Sequence, residues 1–238
     1  MVILGIESSA QAASAAVVKD GKLLSEMYLN VGLTHSVTLM PLISSAVEKA
    51  SLKISDIDGI AVSKGPGSFT GVRIGIATAK GLAQPYNIKC IPVSTLETIA
   101  YPLIDSECIA AAVMDARCSQ VYCALFDCRN SNISRLTEDN AVPFETLLEM
   151  LKKYDKKTVL IGDGTNVAFE YLKNKCDNIF KSSPGLMYQK ASSAAFLGEK
   201  YMLEGTNICT PQDLVPDYLR LPQAERELKR KKELKNNL

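Results

Sequence analysis

The clearest chemical signal in this sequence is a glycine-rich segment, Gly65-Pro66-Gly67-Ser68-Phe69-Thr70-Gly71. It follows a predicted buried strand and opens a predicted helix, and the N–H groups and dipole at a helix N-terminus can hold an anion such as a phosphate. The glycine spacing matches neither a Walker A loop nor the G-x-G-x-x-G pattern. The candidate contacts for an anion or a nucleotide are Gly65, Gly67, Ser68, Gly71 and Arg73. A rigid turn, with Ser68 or Thr70 capping the helix, explains the same residues without a ligand.

Three acidic residues stand where a strand is predicted to end. Glu7 closes the first strand, Asp115 follows the first strand of the second half, and Asp163 lies in the loop Gly162-Asp163-Gly164-Thr165. Carboxylates at the carboxyl ends of strands can face the ligand cleft of an α/β fold. Two of these positions have a purely structural explanation as an alternative. Glu7 could end a strand before a serine-capped turn, and Asp115 could form a salt bridge with Arg117 within a turn.

Histidine and cysteine chemistry has little support in the sequence. His35 is the only histidine, and no neighbouring residues supply partners for catalysis or metal binding. The seven cysteines form no C-x-x-C pair, so a structural zinc site is not expected. We predict buried free thiols, with a redox role as the alternative. The cysteines are at positions 90, 108, 118, 123, 128, 176 and 209.

The elements that must position these residues follow a repeating pattern. An Asp-Gly turn at 19–21 joins two of the first three strands and predicts a β-meander. Helical periodicity and short apolar runs then predict alternating helices and strands. In the first half the predicted strands are 2–8, 14–18, 22–30, 57–63 and 87–92, and the predicted helices are 35–50, 70–83 and 94–101.

The same order of elements recurs in the second half, which indicates an internal duplication. Two glycine loops support it, because each follows the fourth strand of its half. In the second half the predicted strands are 108–114, 121–127, 133–138, 158–162 and 178–181, and the predicted helices are 144–154, 167–174 and 190–203.

Strands that alternate with helices in this way predict an α/β protein in which helices cover mixed sheets. We expect two subdomains with mixed five-stranded sheets and a cleft between them, an architecture that resembles the duplicated ribonuclease H-like, actin-like ATPase (ASKHA) fold. The predicted units are 1–104, 105–222, whose last helix at about 190–203 can pack back on the first unit, and a basic tail at 223–238. The tail is expected to be a solvated helix, with an RNA-grazing tail as the alternative.

The helices at 35–50 and 70–83 present apolar residues over a wide arc. Such helices are either enclosed within one protein or shared between its core and a partner chain. The small residues at 71, 75, 79 and 83 also form a ridge that allows another backbone to approach closely. The candidate partner contacts are Leu39, Met40, Ile43, Val47, Ile74 and Thr78.

Composition and charge exclude several classes of protein. Hydrophobic residues make up 47% and charged residues 22% of the 238 residues, which is ordinary for a globular protein and argues against disorder. The formal net charge of +1 predicts that RNA is reached through a partner. The apolar runs are too short to span a membrane, and the N-terminus lacks the basic region of a signal peptide. We therefore expect a cytoplasmic protein.

Four motifs together resemble the TsaB (YeaZ) family, over a match that extends from Met1 to about Arg220. TsaB proteins are similar to TsaD, the catalytic subunit that adds a threonylcarbamoyl group to adenosine 37 of tRNA. The sequence departs from the pattern at Glu7, where Asp is commoner, and in its longer basic tail. The motifs are Gly65-Pro66-Gly67-Ser68-Phe69-Thr70-Gly71-Val72-Arg73-Ile74-Gly75, His35-Ser36 with Leu39-Met40-Pro41-Leu42-Ile43, Met114-Asp115-Ala116-Arg117 with Val121-Tyr122, and Pro216-Asp217-Tyr218-Leu219-Arg220.

The resemblance implies that this chain is not an enzyme. TsaD-like enzymes carry H-x-x-x-H, whose two imidazoles hold a metal, after the Pro-Val that ends the last strand of the N-terminal subdomain. Here Pro92-Val93 is followed by Thr95 and Ile99 at the histidine positions. Isoleucine cannot ligate a metal, so we expect neither catalytic nor metal-binding residues.

The resemblance also implies partners. We expect a dimerisation and activating subunit that binds a TsaD-like catalytic subunit, together with a TsaE-like ATPase, and that forms a homodimer when alone. It implies contact with tRNA only through the complex and no cofactor in the isolated chain, with ATP or ADP at the interface with TsaD. The alternative is an actin-like-fold enzyme, either a glycoprotease-like metallopeptidase or a small-molecule kinase.

Overall fold

The computed structural model of this protein describes residues 1–117, 119–129, 132–154 and 156–220. Cys118 and the predicted basic tail at 223–238 lie outside the described residues. Within the described ranges, none of the helices has the length and apolar character that a membrane span requires.

The first half builds a five-stranded mixed sheet. Its strand order is β3-β2-β1-β4-β5, antiparallel among the first three strands in sequence and parallel from β1 through β4 to β5. Two of its helices pack on one face of this sheet, and a third short helix leaves the last strand. The elements are β1 (Val2–Glu7), β2 (Ala13–Lys19), β3 (Lys22–Leu29), α1 (His35–Lys49), β4 (Gly59–Gly65), α2 (Phe69–Ala83), β5 (Lys89–Ser94) and α3 (Thr95–Ala100).

The second half repeats this plan with one more strand. Its sheet has the order β11-β10-β6-β7-β8, and β9 also pairs with β7. The α4 and α5 helices pack on one face of it and share a hydrophobic core with its strands. The elements are β6 (Ile109–Asp115), β7 (Gln120–Asp127), β8 (Ser134–Arg135), β9 (Asn140–Pro143), α4 (Phe144–Lys152), β10 (Thr158–Ile161), α5 (Thr165–Leu172) and β11 (Ile179–Lys181).

The predicted five strands in the second sheet are therefore six. The segment predicted as one strand at 133–138 contributes only β8, which pairs with the end of β7 at Phe126 and Asp127. The chain then leaves the ladder and returns as β9, which pairs with the beginning of β7 between Gln120 and Cys123. The long β7 strand thus has two short partners on the same edge, and apolar periodicity alone could not reveal the break.

One helix from each half lies between the two sheets. The α3 helix, which follows the first sheet, packs on β6 and β7, while α6 (Ala191–Glu204) packs on β1, β2 and β4. A Cβ atom at Gly5 would lie 2.1 Å from the carbonyl oxygen of Ala191, and one at Gly198 would lie 2.5 Å from the Cβ of Ala61. Backbone glycines therefore allow α6 to lie directly against the first sheet, and the two halves share a hydrophobic core.

Burial separates the predicted partner contacts on α1 and α2 into two groups. Leu39, Ile43 and Val47 are only 1%, 1% and 5% exposed and lie in the core beneath the first sheet. Their spacing of four residues is that of a core-facing stripe, so the prediction that they contact a partner is wrong. Met40 is 44% exposed, and Ile74 and Thr78 are half-buried. The predicted wide apolar arc thus consists of a buried stripe with an exposed margin.

After α6 the chain returns across the first half as an extended segment, which we term the C-terminal strap (residues 208–220). Cys209 pairs with Cys90 of β5 through two backbone hydrogen bonds of 2.9 and 3.0 Å. Leu214 is fully buried in the core of the first half. Further along, the Asp217 N–H donates to the Lys64 carbonyl at 2.7 Å. The strap is therefore part of the folded first half.

Candidate functional site

The glycine loop lies against the end of β1. A Cβ atom at Gly67 would lie 2.3 Å from the carbonyl oxygen of Ser9, and one at Gly71 would lie 2.1 Å from that of Ser8. No side chain fits at such separations, so these glycines allow two backbone segments to touch. The Ser8 hydroxyl donates to the Gly71 carbonyl at 2.9 Å and fixes the contact.

The N–H groups predicted to hold an anion are partly engaged within the chain. The Ser68 N–H donates to the Ser9 carbonyl at 2.6 Å, and the Gly71 N–H donates to the Ser68 hydroxyl at 3.3 Å. Ser68 is therefore the N-cap of α2, as the structural alternative held. The loop spacing is explained by packing, and an anion or nucleotide at Gly65, Gly67, Ser68, Gly71 and Arg73 remains a prediction.

The C-terminal strap covers this loop from the other side. Gly65 has φ +120°, and a Cβ atom there would lie 2.3 Å from the Asp217 carbonyl oxygen. The rings of Phe69 and Tyr218 stack with centroids 3.9 Å apart. The Arg73 guanidinium lies over both rings, and its Nε donates to the Tyr218 hydroxyl at 2.7 Å. Arg73, predicted to face an anion, thus binds the aromatic pair.

Glu7 is fully buried at the end of β1. Its carboxylate accepts hydrogen bonds from the Ser9 N–H at 2.6 Å, from the Ser9 hydroxyl and from the Ser63 hydroxyl. Burial raises the pKa of this carboxyl above its ordinary value, and the three hydrogen bonds oppose the increase. The side chain therefore holds the turn after β1 and does not open into a cleft.

Two side chains beside this turn retain an unused polar atom. Gln189 is 1% exposed, and its amide N–H donates to the Ser9 hydroxyl at 3.4 Å. The His35 ring donates through Nε2 to the Ala10 carbonyl at 2.7 Å. Gln189 Oε1 and His35 Nδ1 are buried without a hydrogen-bond partner among the described residues. No group of three or more histidine, cysteine or acidic side chains arranged for a metal occurs in the described ranges.

The corresponding turn in the second half is built by the same device. Gly162 has φ +116°, and a Cβ atom there would lie 2.1 Å from the Val113 carbonyl oxygen. The Asp115 N–H donates to the Asp163 carboxylate at 3.2 Å, and the Asp115 carboxylate accepts from the Arg117 N–H at 2.7 Å. The predicted contact between Asp115 and Arg117 is therefore made through the backbone. Burial raises the pKa of Asp163 to about 6.

The positions that resemble the metal ligands of TsaD lie on α3 between the sheets. Thr95 is fully buried and Ile99 is 1% exposed in the shared core. The Thr95 hydroxyl has no hydrogen-bond partner in the part of the chain that the structure describes. The surroundings of Ile99 are apolar and offer a cation no ligand, so these residues do not fit a metal at this place.

A polar network that the sequence analysis did not identify borders α3. The Ser94 hydroxyl donates to the Asp139 carboxylate at 2.6 Å, and Arg135 binds both Asp139 and Glu97. The Tyr201 hydroxyl of α6 donates to Glu97 at 2.7 Å. The network ties together α3, α6 and the segment between β8 and β9. Its only sequence signal is the spacing of Arg135, within the segment predicted as a strand at 133–138, and Asp139, which follows that segment.

An exposed apolar surface lies where β3 leads into α1. Four large side chains within ten residues are between 44% and 68% exposed, which is uncommon for a group of this kind in a folded protein. We term them the β3–α1 patch, which consists of Val31, Leu33, Val37 and Met40. Only Met40 was among the predicted contacts, because Val31 and Leu33 precede the helix and escape a search for helical periodicity.

Comparisons with known proteins cover most of the chain. The family model TsaD, tRNA N6-adenosine threonylcarbamoyltransferase, matches residues 30–228. The chain is 32% identical over 226 residues to tRNA threonylcarbamoyladenosine biosynthesis protein TsaB of Bacillus subtilis, covering 94% of this chain and 96% of that protein. It is also 32% identical over 167 residues to TsaB of Escherichia coli, covering 69% and 72%. YeaZ from Pseudomonas aeruginosa superposes with a TM-score of 0.78 at 24% identity, covering 92% and 99%, and so has the same fold.

Proposed function

We propose, from the premise that this chain belongs to the TsaB family and takes part in tRNA threonylcarbamoyladenosine biosynthesis, that it is the non-catalytic activating subunit of the threonylcarbamoyltransferase complex. In this role it binds a TsaD-like catalytic subunit and supports transfer of the threonylcarbamoyl group to adenosine 37 of tRNA. The proposal places its work in the cytoplasm.

The observation that carries the proposal is the β3–α1 patch. Its four large apolar side chains extend from β3 to the first turns of α1, on the half that also presents Ile74 and Thr78 of α2. Burying one large apolar side chain in an interface contributes about 1.5–3 kcal/mol, so several together support a stable complex. We propose that the TsaD-like subunit covers this patch in the complex, and that a second copy of this chain covers it in a homodimer.

The non-catalytic part of the proposal is supported by the surroundings of α3 and of Glu7. Thr95 and Ile99 lie in the shared core, and the Glu7 carboxylate is enclosed by hydrogen bonds from serines. Neither place offers a group that could touch a substrate. Activation then arises because binding this chain favours the competent state of its partner, which is a coupling between the two chains.

Nucleotide in this system fits a shared site better than this chain alone. The Ser68 and Gly71 N–H groups are bonded internally, and Arg73 is stacked on Phe69 and Tyr218. We propose that ATP or ADP lies at the joint interface with TsaD, and that a TsaE-like ATPase acts on the assembled complex.

The test combines binding and modification. Val37→Asp places a charge in the patch at a position that is 68% exposed, and we expect association with the TsaD-like subunit to weaken about 10- to 100-fold. Leu203→Asp is the matched control, because Leu203 is 78% exposed on α6. Calorimetric titration measures binding, and nucleoside mass spectrometry of tRNA measures the modification in reconstituted reactions. Equal affinity of the two variants for TsaD would contradict the interface.

The activating role is tested by omission. With the TsaD-like subunit, the ATPase and the activated threonylcarbamoyl donor all present, we expect no modified adenosine unless this chain is added. Full modification in its absence would refute activation. Peptide hydrolysis or phosphate transfer by the purified chain would instead favour an actin-like-fold enzyme, which is a metallopeptidase or a small-molecule kinase.

A further inference from the structure

The second half carries an open pocket at the end of its sheet opposite the Gly162 loop. The pocket has a volume of about 280 Å³ and lies between the C-terminal ends of α4 and α5 and the beginnings of β10 and β11. Lys152, Lys156 and Lys175 line it together with Tyr154, and Asp177 is the acidic residue on its wall. We term this site the lysine pocket. Three lysines thus contribute to the wall of one small concave surface.

Further cations and aromatic rings lie next to the lysine pocket. Lys175 Nζ lies 3.3 Å from the centroid of the Tyr171 ring. Lys157 Nζ lies 5.9 Å from the Phe180 ring, and Phe180 is 49% exposed on the edge strand β11. Lysines beside partly exposed rings form a surface that can contact phosphates and stack on bases.

Acidic neighbours neutralise only part of this charge. Lys173 is paired with Glu170 at 2.5 Å and does not line the pocket. Glu145 accepts a hydrogen bond from the Tyr171 hydroxyl at 2.9 Å, and its pKa is lowered by a hydrogen bond from its own backbone N–H, by that hydroxyl and, to a smaller extent, by Lys175. Among the described residues that line the pocket there are three lysines and one acidic residue, Asp177, so these residues carry a local positive charge on a chain whose formal net charge is only +1.

We propose that the lysines of the pocket bind the phosphate backbone of RNA, that the exposed Phe180 ring beside it stacks on a base, and that in the assembled complex this RNA is the tRNA substrate. The identity of the RNA rests on the proposed function, because only that function brings tRNA to this chain. The lysines neutralise backbone phosphates and release counterions, and this favours binding to RNA of any sequence.

The position of the pocket suits such a contact. It belongs to the second half, whereas the β3–α1 patch belongs to the first, so the two surfaces have no residue in common. Three lysines provide weak binding on their own. The pocket therefore adds affinity to a complex in which the catalytic subunit holds the same tRNA, as linked binding sites do.

The test compares two variants of the full chain with equal charge. Each replaces three exposed lysines by glutamate and lowers the net charge by six units, so any general effect of charge is the same in both. The pocket variant is Lys152→Glu, Lys156→Glu and Lys175→Glu, and the control variant is Lys22→Glu, Lys53→Glu and Lys89→Glu. Fluorescence anisotropy with a labelled tRNA transcript measures affinity between 50 and 200 mM salt, the range over which phosphate contacts weaken most visibly.

We expect the pocket variant to bind tRNA about 10- to 100-fold more weakly at low salt, with a salt dependence shallower by about two to three in log–log slope. The control variant should lose less than about threefold, since its lysines lie outside the RNA contact. Equal weakening of both variants, or unchanged binding of the pocket variant, overturns the proposal. Binding to anionic vesicles that the pocket variant alone loses, with tRNA binding unchanged, also overturns it and identifies a membrane surface instead.

Two further measurements separate this proposal from the proposed function and from misfolding. The pocket variant should bind the TsaD-like subunit with the same affinity as the wild type. A loss of that affinity would contradict the subunit interface of the proposed function and would leave the RNA contact to be judged from tRNA binding. If glutamate lowers the melting temperature, the Lys→Gln version of the same three positions is measured in its place and should still weaken tRNA binding about tenfold.

Discussion

The glycine loops after β4 and β10 occupy equivalent places in the two halves, yet their surroundings differ. In the first half Gly65 lies beneath Asp217 of the C-terminal strap, and the nearby Glu7 carboxylate is fully buried. In the second half the Asp163 carboxylate accepts from the Asp115 N–H at 3.2 Å, and Gly162 lies against the backbone of Val113 in β6. The duplicated framework is thus retained, while the first loop packs additionally against the C-terminal strap and the second packs on the end of β6.

The outer surfaces of the two halves also differ. The first half exposes apolar side chains in the β3–α1 patch, whereas the second half exposes lysines and aromatic rings around the lysine pocket. Apolar surface suits a protein partner, and cationic surface suits a polyanion. A repeated fold therefore provides two independent surfaces, because the shared core between the sheets leaves the outward faces free to vary.

The largest effect is expected at the boundary between core and patch on α1. Ile43→Asp places a carboxylate at a position that is 1% exposed, so we expect a loss of about 4 kcal/mol or more in unfolding free energy. Met40→Asp, at a position that is 44% exposed, should change this free energy by less than about 0.5 kcal/mol while weakening association. Urea unfolding measures the unfolding free energy of each variant, and titration with the TsaD-like subunit measures the association of Met40→Asp. If the Ile43→Asp variant were as stable as the wild type, Ile43 would not be a core residue and its predicted contact with a partner would stand.

A smaller loss is expected where the first glycine loop meets β1. Gly71→Ala introduces a Cβ atom 2.1 Å from the Ser8 carbonyl oxygen, and we expect about 3 kcal/mol of destabilisation from the forced separation of two backbones. Gly81→Ala in the same helix meets nothing within 4 Å and should stabilise by about 1 kcal/mol through helix propensity. Thermal unfolding of both variants tests the contact. Similar melting temperatures would show that the loop and β1 can separate at Gly71 without loss of stability.

The smallest effect concerns the loop that follows β10 in the second half. Burial raises the pKa of Asp163 to about 6, so the folded protein holds a proton that the unfolded chain releases. Its contribution to stability is therefore present below the ordinary carboxyl pKa and is lost as the pH rises through about 6. Asp163→Asn should remove this loss and gain up to about 2 kcal/mol at pH 7, with no gain at pH 4.

Unfolding free energies of wild type and Asp163→Asn, measured from pH 4 to pH 8, check the sign. An equal difference at all pH values would show that the carboxyl ionises normally. Asp115→Asn should give a smaller change of the same sign, because burial is the largest cause of the raised Asp163 pKa and the charge of Asp115 adds to it.

Much of the architecture is readable from local pattern. The Asp-Gly hairpin, the helices that begin near His35 and Phe69, and the duplication of strand order all follow from periodicity and turn residues, and the structure confirms them. The cap at Ser68 is likewise a local feature. The division of one strand into β8 and β9 was missed, because two short partners on the same edge of β7 arise from pairing between distant residues.

The sequence by itself determined the family, the α/β class and the absence of histidines at the positions of Thr95 and Ile99, because these depend on residue identity and short-range spacing. Only the tertiary structure decided which side of α1 is core, since Leu39 and Met40 are neighbours in sequence but differ in burial. It also decided that Arg73 lies over the ring of Tyr218 and donates to its hydroxyl, 145 residues away in the chain. Burial and long-range contact depend on how the sheets and the strap come together, and local chemistry does not encode that arrangement in a readable form.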